Sequence, residues 1–322
     1  MKTKKTLISI IIMAVLFLMF IIQRQARETT TVKNLPVIVS FDEDEVTSIE
    51  IEGKDHIIFI KDEDGIWMLR KPVHYPANQI YFKNLINTIQ DLKITDLISE
   101  NASSYEDFGL TVEKGTKVRV FTGKEKVLEF LLGNTNIGYT HTFIKLYSHP
   151  NIYQVRGNIG HIFNREVRYF RDKKIFDVSP NEIIRISIKR EKDSIILNRE
   201  EKEEEGEVIT DTAQVQPEEM FVWVEESTGK FVEKDKITTI LDGIKGLSAQ
   251  DFIDNPGEEQ RIKKPDFILT VETASRKNVL KVKKKKEKNQ FFVEKEGKID
   301  TLFLVPSYQI NRINQSRLSL NL

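Results

Sequence analysis

The sequence predicts an α+β fold: an N-terminal transmembrane helix followed by two repeated units, each a mainly antiparallel sheet with packed helices. Three observations carry this prediction. An uncharged apolar run lies near the start of the chain, one amphipathic helical pattern occurs twice, and strand-like segments follow one another without intervening helices. Strands that come in such runs are typical of α+β rather than α/β proteins.

The first element is the apolar run Thr6–Ile22, which is preceded by three lysines. A run of this length lies at the short end of the roughly 17–25 residues that cross a bilayer as a helix. Arg24 stands where a cleavage site before residue 27 would need a small side chain. Residues 1–27 are therefore predicted to be an uncleaved signal anchor, in preference to a cleaved signal peptide or a buried soluble helix.

The distribution of basic residues around this run predicts its orientation. Three lysines precede the run and two arginines follow it, so the positive-inside bias slightly favours a cytoplasmic N terminus. The protein is expected to be single-pass in the inner or cytoplasmic membrane, with its body periplasmic or extracellular. Residues 28–40 would form a polar tether.

Two related α+β units are predicted to follow, at residues 41–176 and 177–322. Each contains an amphipathic helix whose apolar residues recur at three- and four-residue steps, which is typical of one buried helix face. The first set is Phe82, Leu85, Ile86, Ile89 and Leu92, and the second is Ile237, Ile240, Leu241, Ile244 and Leu247. Each member of the second set lies 155 residues after its partner, and such fixed spacing indicates an internal repeat.

Three strands are predicted before each of these helices. In the first unit, "DEDG" predicts a hairpin in which Gly65 takes a positive φ. The only two tryptophans, Trp67 and Trp223, fall on the third strand of each unit. Four or five short strands follow each helix, and a short closing helix is expected near 159–170 and 307–318.

The second unit contains an acidic segment that the first unit lacks. Residues 199–219 are poor in apolar side chains and rich in glutamate. Such a composition cannot bury enough apolar surface to order itself, so the segment is predicted to be a disordered insertion between two strands. A specific acidic docking loop is the alternative.

Composition excludes several classes of site. The chain has no cysteine, which rules out disulfides, thiol nucleophiles and cysteine-ligated metals. Lysine plus arginine and aspartate plus glutamate both total 49, so no global charge bias points to nucleic acid. The sequence contains no phosphate-binding loop, dinucleotide fingerprint or G-x-S-x-G motif.

The histidines give no metal-binding pattern. All five lie in the first predicted unit, and none forms an H-x-x-x-H or H-x-E motif. They are His56, His74, His141, His149 and His161. His141 and His149 flank a predicted hairpin and could approach one another. Surface positions are nevertheless expected, and no catalytic, cofactor-binding or metal-binding residue is predicted.

The segment "YEDFGL", residues 105–110, shares the letters of the kinase magnesium motif. No glycine-rich loop, strand lysine or catalytic loop accompanies it, so a kinase site is not indicated. A turn is predicted instead, with Gly109 at the bend and with Phe108 and Leu110 packed inward.

The basic run "KVKKKKEK", residues 281–288, is the densest cluster of positive charge. It matches a strand of the first unit, and lysines commonly guard an exposed edge strand against aggregation. Edge protection or simple solvation is therefore predicted. Contact with an anionic lipid or wall polymer is the alternative, whereas no aromatic stacking platform supports nucleic-acid binding.

Several motifs together resemble the bacterial family called domain of unknown function 4340 (DUF4340). They are "GIWML", Pro72, the first amphipathic helix, "DFGL", "LLG" and "REVRYFRDKKIFDV". The family pattern has a proline shortly after the Gly-Leu, whereas this chain has Thr111–Val112–Glu113. The resemblance implies a membrane-anchored extracytoplasmic protein associated with the auxiliary and permease subunits of an ABC-type export system related to gliding-motility transporters.

The anchor, the repeat and the resemblance predict a non-enzymatic accessory protein that binds partner proteins in such an export or envelope complex. One alternative is a module that binds an envelope glycan or another polymer, with stacking surfaces from Trp67, Trp223, Tyr75 and Tyr81. Core packing is the competing interpretation of these four rings. A hydrolase of unrecognised type is the remaining alternative.

Overall fold

The computed structural model describes residues 13–22, 35–38, 41–202, 221–286, 289–297 and 300–322 of the 322-residue chain. These residues form mainly antiparallel sheets with several helices, which is an α+β fold. The chain divides into two compact units, Met1–Asp172 and Lys173–Leu322.

The division between the units precedes the expected one after residue 176 because the intervening residues bond to the second unit. The backbone carbonyl of Lys173 accepts from the amide of Ala249 at 2.8 Å, and the amide of Ile175 donates to Leu247 at 3.1 Å.

The first unit contains one nine-stranded sheet whose order is β4-β3-β2-β1-β6-β7-β8-β9-β5. All strand pairs are antiparallel. In chain order the strands are β1 (Val46–Glu52), β2 (His56–Lys61), β3 (Trp67–Lys71), β4 (Tyr75–Pro76), β5 (Ile94–Ser99), β6 (Thr116–Thr122), β7 (Glu125–Thr135), β8 (His141–Leu146) and β9 (Ile152–Arg156). The helices are α1 (Gln79–Gln90), α2 (Gly160–Phe163) and α3 (Val167–Phe170).

The second unit contains an eight-stranded antiparallel sheet whose order is β12-β11-β10-β14-β15-β16-β17-β13. Its strands are β10 (Ile183–Arg190), β11 (Ser194–Glu201), β12 (Phe221–Glu225), β13 (Asp251–Asp254), β14 (Phe267–Thr273), β15 (Lys277–Lys284), β16 (Gln290–Lys295) and β17 (Thr301–Pro306). Its helices are α4 (Lys234–Lys245) and α5 (Ser307–Ile313). Apart from β4, the two sheets share one strand order, and in each the strand after the long helix lies at the far edge.

Helix α1 covers one face of the first sheet through the predicted apolar stripe. Asn78 caps the helix by accepting from the amide of Tyr81 at 3.0 Å. Phe82 stacks on Trp67 with 3.9 Å between ring centroids and meets Phe59 edge-on at 5.1 Å. All five stripe residues of the first unit are buried, whereas Leu241 of the second unit is only half-buried. Gly65 has φ +77°, which confirms the predicted hairpin turn.

The "DFGL" turn packs against strand β7 at the "LLG" motif. Gly109 takes φ +68°, and Leu110 joins a buried cluster with Leu131 while Phe108 packs on its edge. The amide of Asn134 donates to the carbonyl oxygen of Phe108 at 2.8 Å. These two sequence motifs are therefore two halves of one packing contact, and the predicted turn is confirmed.

The N-terminal run is described only in part. Residues 13–22 are helical and carry exposed side chains, whereas the rest of the predicted anchor and most of the tether lie outside the described residues. Within the described part of the chain, no helix has both the length and the apolar character that crossing a membrane requires.

The predicted start of the acidic insertion was wrong. Arg199–Glu201 are the last residues of β11, where they pair with residues 221–223 of β12. These residues are charged, but they belong to the sheet because their backbones pair with β12. The rest of the predicted insertion, from residue 203 onward, lies outside the described residues.

Of the two interpretations predicted for the basic run, edge protection was wrong, whereas Lys283 and Lys284 are exposed, as solvation predicts. Its described residues 281–284 belong to β15, which is bonded to β14 on one side and to β16 on the other. Strand alternation buries Val282 and leaves Lys281 and Lys283 on the opposite face. The run therefore gives a basic sheet face, while the edges of this sheet are β12 and β13.

Candidate functional site

A groove of about 720 Å³ lies between edge strand β12 and helix α4 in the second unit, and we call it the strand–helix groove. Trp223 lines it and is 7% exposed, while Phe231 lines it and is 70% exposed. The amide of Val232 donates to the carbonyl of Trp223 at 2.8 Å, which ties the loop after β12 to the strand. An apolar ring as exposed as that of Phe231 favours contact with a second molecule.

The repeat explains why the strand–helix groove contains space. At the offsets that relate the two helices and the two tryptophans, Ile237 takes the place of Phe82 against Trp223. In the first unit the Phe82 ring stacks on Trp67. Ile237 has no ring to make that contact, and both Ile237 and the half-buried Leu241 line the groove.

The rim of the strand–helix groove is basic. Four cationic side chains line it, and Asp242 is the one carboxylate among the described lining residues. The four are Arg199, Lys202, Lys234 and Lys245. None of them forms an ion pair with a carboxylate of the described residues. The Arg199 guanidinium lies 3.8 Å from the Phe221 ring centroid, so this charge is oriented over an aromatic face.

A second groove, of about 700 Å³, lies in the first unit, and we call it the arginine groove. It is bounded by the outer face of α1, the start of β5 and the chain around α2. Arg156, Arg165 and Lys93 line it together with the polar side chains of Asn84 and Asn87. Its lining joins these cationic and amide side chains to an apolar wall that includes Leu92 and Ile162, whereas the strand–helix groove joins its cations to the exposed ring of Phe231.

A charged network crosses the first sheet around Arg119. Its guanidinium contacts Glu50 at 2.7 Å, Glu52 at 2.8 Å and Glu129 at 3.0 Å. The hydrogen bond from Arg119 is the main reason why the pKa of Glu52 lies below its usual range. Lys117 lies 3.2 Å from Glu52 and adds a second positive charge. These contacts hold β1, β6 and β7 together across their shared face.

One part of this network has metal-ligand geometry. Oxygen and nitrogen atoms of Glu50, Glu52 and His56 lie within 4.8 Å of one another, and His56 Nε2 is 2.8 Å from Glu50. No local motif in the sequence marks this group, because its members lie on two strands, β1 and β2. Glu52 and His56 pair across the β1–β2 hairpin, so the hairpin register was the signal. Arg119 and Lys117 already neutralise both carboxylates, and we therefore assign the group a structural role.

The histidines expected to approach one another do not meet. His141 begins β8 opposite Arg156, whereas His149 lies beyond the far end of that strand. Each side chain has a local contact: His141 Nδ1 is 2.9 Å from the Thr140 hydroxyl, and His149 Nδ1 is 2.9 Å from that of Ser148.

The aromatic residues considered as stacking surfaces are mostly in the core. Trp67, Trp223 and Tyr75 are buried, and Tyr81 is half-buried, with its hydroxyl donating to the carbonyl of Ile162 at 2.9 Å. These rings therefore contribute to packing. Sequence reasoning did not find the exposed Phe231, because nothing in a local pattern distinguishes it from a core residue.

Comparison with known families gave a match over residues 67–265 to the family described as Domain of unknown function (DUF4340). The match covers more than half of the chain and includes the "DFGL" and "LLG" motifs. No curated protein and no solved structure matched the chain. The match over residues 67–265, together with the packing of the two motifs on each other, means that the chain belongs to the DUF4340 family.

Proposed function

We propose that this chain is a non-enzymatic, membrane-anchored extracytoplasmic protein that binds partner proteins. Its place would be that of an auxiliary component of an ABC-type export or gliding-motility-like envelope complex. The apolar run Thr6–Ile22 supports the anchor, and the resemblance of the motifs supports the kind of complex.

The observation that carries this proposal is the strand–helix groove. Its apolar lining, with Phe231 at 70% exposure, gains free energy when another molecule removes it from water. Its four cations, none of which forms an ion pair with a carboxylate of the described residues, steer an acidic segment toward it. The occupant we propose is an acidic segment of a partner protein that also carries apolar side chains.

Replacing Phe231 by aspartate is the direct test of this proposal. The full chain, tagged at its C terminus, would be solubilised from its own membrane and its partners identified by mass spectrometry. We expect Phe231→Asp to lose the transporter subunits that copurify with the wild type, because the change removes the exposed ring and adds a charge that repels an acidic segment.

Tyr308→Asp is the matched control, because Tyr308 is 67% exposed in the same unit but does not line the groove. This variant should retain the same subunits as the wild type. Equal recovery with Phe231→Asp and with the wild type would contradict the groove as the docking surface. Recovery of no envelope or transporter protein by the wild type would contradict the accessory role itself.

A further inference from the structure

The arginine groove of the first unit presents cations that no described carboxylate neutralises. Arg156 ends β9, Arg165 follows α2 and Lys93 precedes β5, and none of these forms an ion pair with a described carboxylate. Arg119, in the same unit, instead contacts three carboxylates. Asp91 is the one acidic side chain among the residues that line the groove, which leaves an excess of positive charge there.

One of these cations is oriented before any ligand arrives. Arg165 Nε donates to the carbonyl of His161 at 2.7 Å, and its guanidinium lies 5.0 Å from the centroid of the Tyr169 ring. Burial raises the pKa of Tyr81, and the neighbouring Arg165 partly offsets that rise. A guanidinium fork fixed in this way suits a planar or tetrahedral oxyanion and loses little side-chain entropy when it binds one.

A row of neutral polar groups continues the groove along α1. Asn87 and Thr88 lie three and four residues after Asn84, so both are neighbours of Asn84 on one side of the helix. The Thr88 hydroxyl donates to the carbonyl of Asn84 at 2.7 Å and keeps its acceptor capacity. Neither asparagine side-chain amide has a hydrogen-bond partner among the described residues, so each can both donate to and accept from a ligand.

Apolar side chains line the remainder of the groove. Leu92, Ile159 and Ile162 contribute to the wall, and the half-buried ring of Tyr81 is held by its bond to the Ile162 carbonyl. The groove therefore offers fixed cations, a row of amide and hydroxyl groups, and an apolar surface. With a volume of about 700 Å³, the groove is larger than a single oxyanion needs.

We propose that the arginine groove binds an acidic saccharide. The arginines would hold its carboxylate or phosphate groups, the asparagines would bond its hydroxyls, and the apolar wall would contact the C–H face of its rings. This inference does not depend on the strand–helix groove, which lies in the other unit and joins the exposed ring of Phe231 to its cations.

Calorimetric titration of the full chain in detergent tests this inference. The probes are trigalacturonate and maltotriose phosphate, with galactotriose and maltotriose as uncharged counterparts. We expect at least one acidic probe to bind and the uncharged sugars to bind far more weakly. Arg156→Gln should weaken the binding about tenfold or more, the usual effect of losing one charge-assisted hydrogen bond. Asn87→Leu should also weaken it.

Arg70→Gln is the control, because Arg70 is an exposed arginine of the same unit that does not line the groove. It should leave the binding unchanged, and the thermal midpoint of each variant should match that of the wild type. The proposal would be overturned if neither acidic probe binds, if the uncharged sugars bind as tightly, or if Arg156→Gln binds like the wild type. Competition by hexaglutamate as strong as that by the saccharide would overturn it in favour of an acidic peptide.

Discussion

Replacing Gly133 by alanine is expected to destabilise the first unit by about 3 kcal/mol, because it forces extra volume into a closed contact. A Cβ at this position would lie closer than 3.0 Å to the carbonyl oxygen of Phe108. That oxygen belongs to the backbone and is held by the Asn134 amide at 2.8 Å, so it cannot rotate away as a side chain would. The "DFGL" turn would have to leave β7, and the cluster around Leu110 would loosen with it.

Urea unfolding of the full chain in a Trp223→Phe background measures this effect. Trp67 is then the only tryptophan, and it reports on the first unit. Gly160→Ala is the matched control, because a Cβ at Gly160 has no heavy atom within 4 Å and should change the midpoint little. If Gly133→Ala unfolds at the same urea concentration as Gly160→Ala, the contact between the two family motifs is wrong.

Replacing Glu225 by glutamine is expected to cost the second unit about 2–4 kcal/mol at neutral pH, because it removes the buried one of the two carboxylates that neutralise Arg317. Glu225 is 1% exposed at the end of β12. It accepts from Arg317 Nη2 at 3.0 Å, from the Ser227 hydroxyl at 2.8 Å and from the Thr228 amide at 2.9 Å. Arg317 also contacts Asp193 at 3.1 Å, so Glu225 helps to hold the C-terminal segment against the β10–β11 turn.

The free energy of unfolding that Glu225→Gln costs should decrease as the pH falls. Burial raises the pKa of Glu225, but hydrogen bonds from Arg317, Ser227 and Thr228 outweigh it and lower the pKa from 4.5 to about 2. A carboxyl whose folded pKa is depressed stabilises the fold above its unfolded pKa and loses that contribution as the pH falls toward the folded value. The difference between wild type and variant should therefore be constant above about pH 5 and shrink between there and pH 2. A difference that grows on acidification would contradict the assignment.

A double variant separates the ion pair from simple packing. The offset that relates the two tryptophans aligns Glu225 with Leu69, which is fully buried in the first unit. Glu225→Leu with Arg317→Leu should therefore recover much of the stability that Glu225→Gln loses, because an apolar pair can replace a buried ion pair. Urea unfolding with Trp223 as the probe would measure the free-energy costs of Glu225→Leu, of Arg317→Leu and of the double variant. If the two single costs simply add in the double variant, the two residues are not coupled.

The features that the sequence predicted correctly depend on local patterns. The stripe of α1, the turn at Gly65 and the bend at Gly109 follow from helical spacing and from turn chemistry within a few residues. The α+β class follows from runs of strands without helices between them. The family resemblance held because its motifs, "DFGL" and "LLG", are packing elements that the fold needs.

The sequence-based predictions that were wrong depend on contacts between distant parts of the chain. Whether residues 281–284 lie at an edge or inside a sheet is set by their neighbours β14 and β16, which composition does not reveal. The charged composition of Arg199–Glu201 predicted disorder, although these residues pair with β12. The same holds for the grooves, since Arg199, Phe231 and Lys245 come together only through the strand order and the helix placement.

Site-specific photocrosslinking in intact cells most directly tests the proposal that a partner protein docks in the strand–helix groove. A photoactivatable phenylalanine would replace Phe231 in one strain and Tyr308 in a second, both in the full chain. We expect a partner adduct from position 231 only, mapped to an acidic segment with apolar residues. That adduct should disappear when Lys234 and Lys245 are changed to glutamate. Identical adducts from both positions, or an adduct that survives the charge reversal, would contradict it.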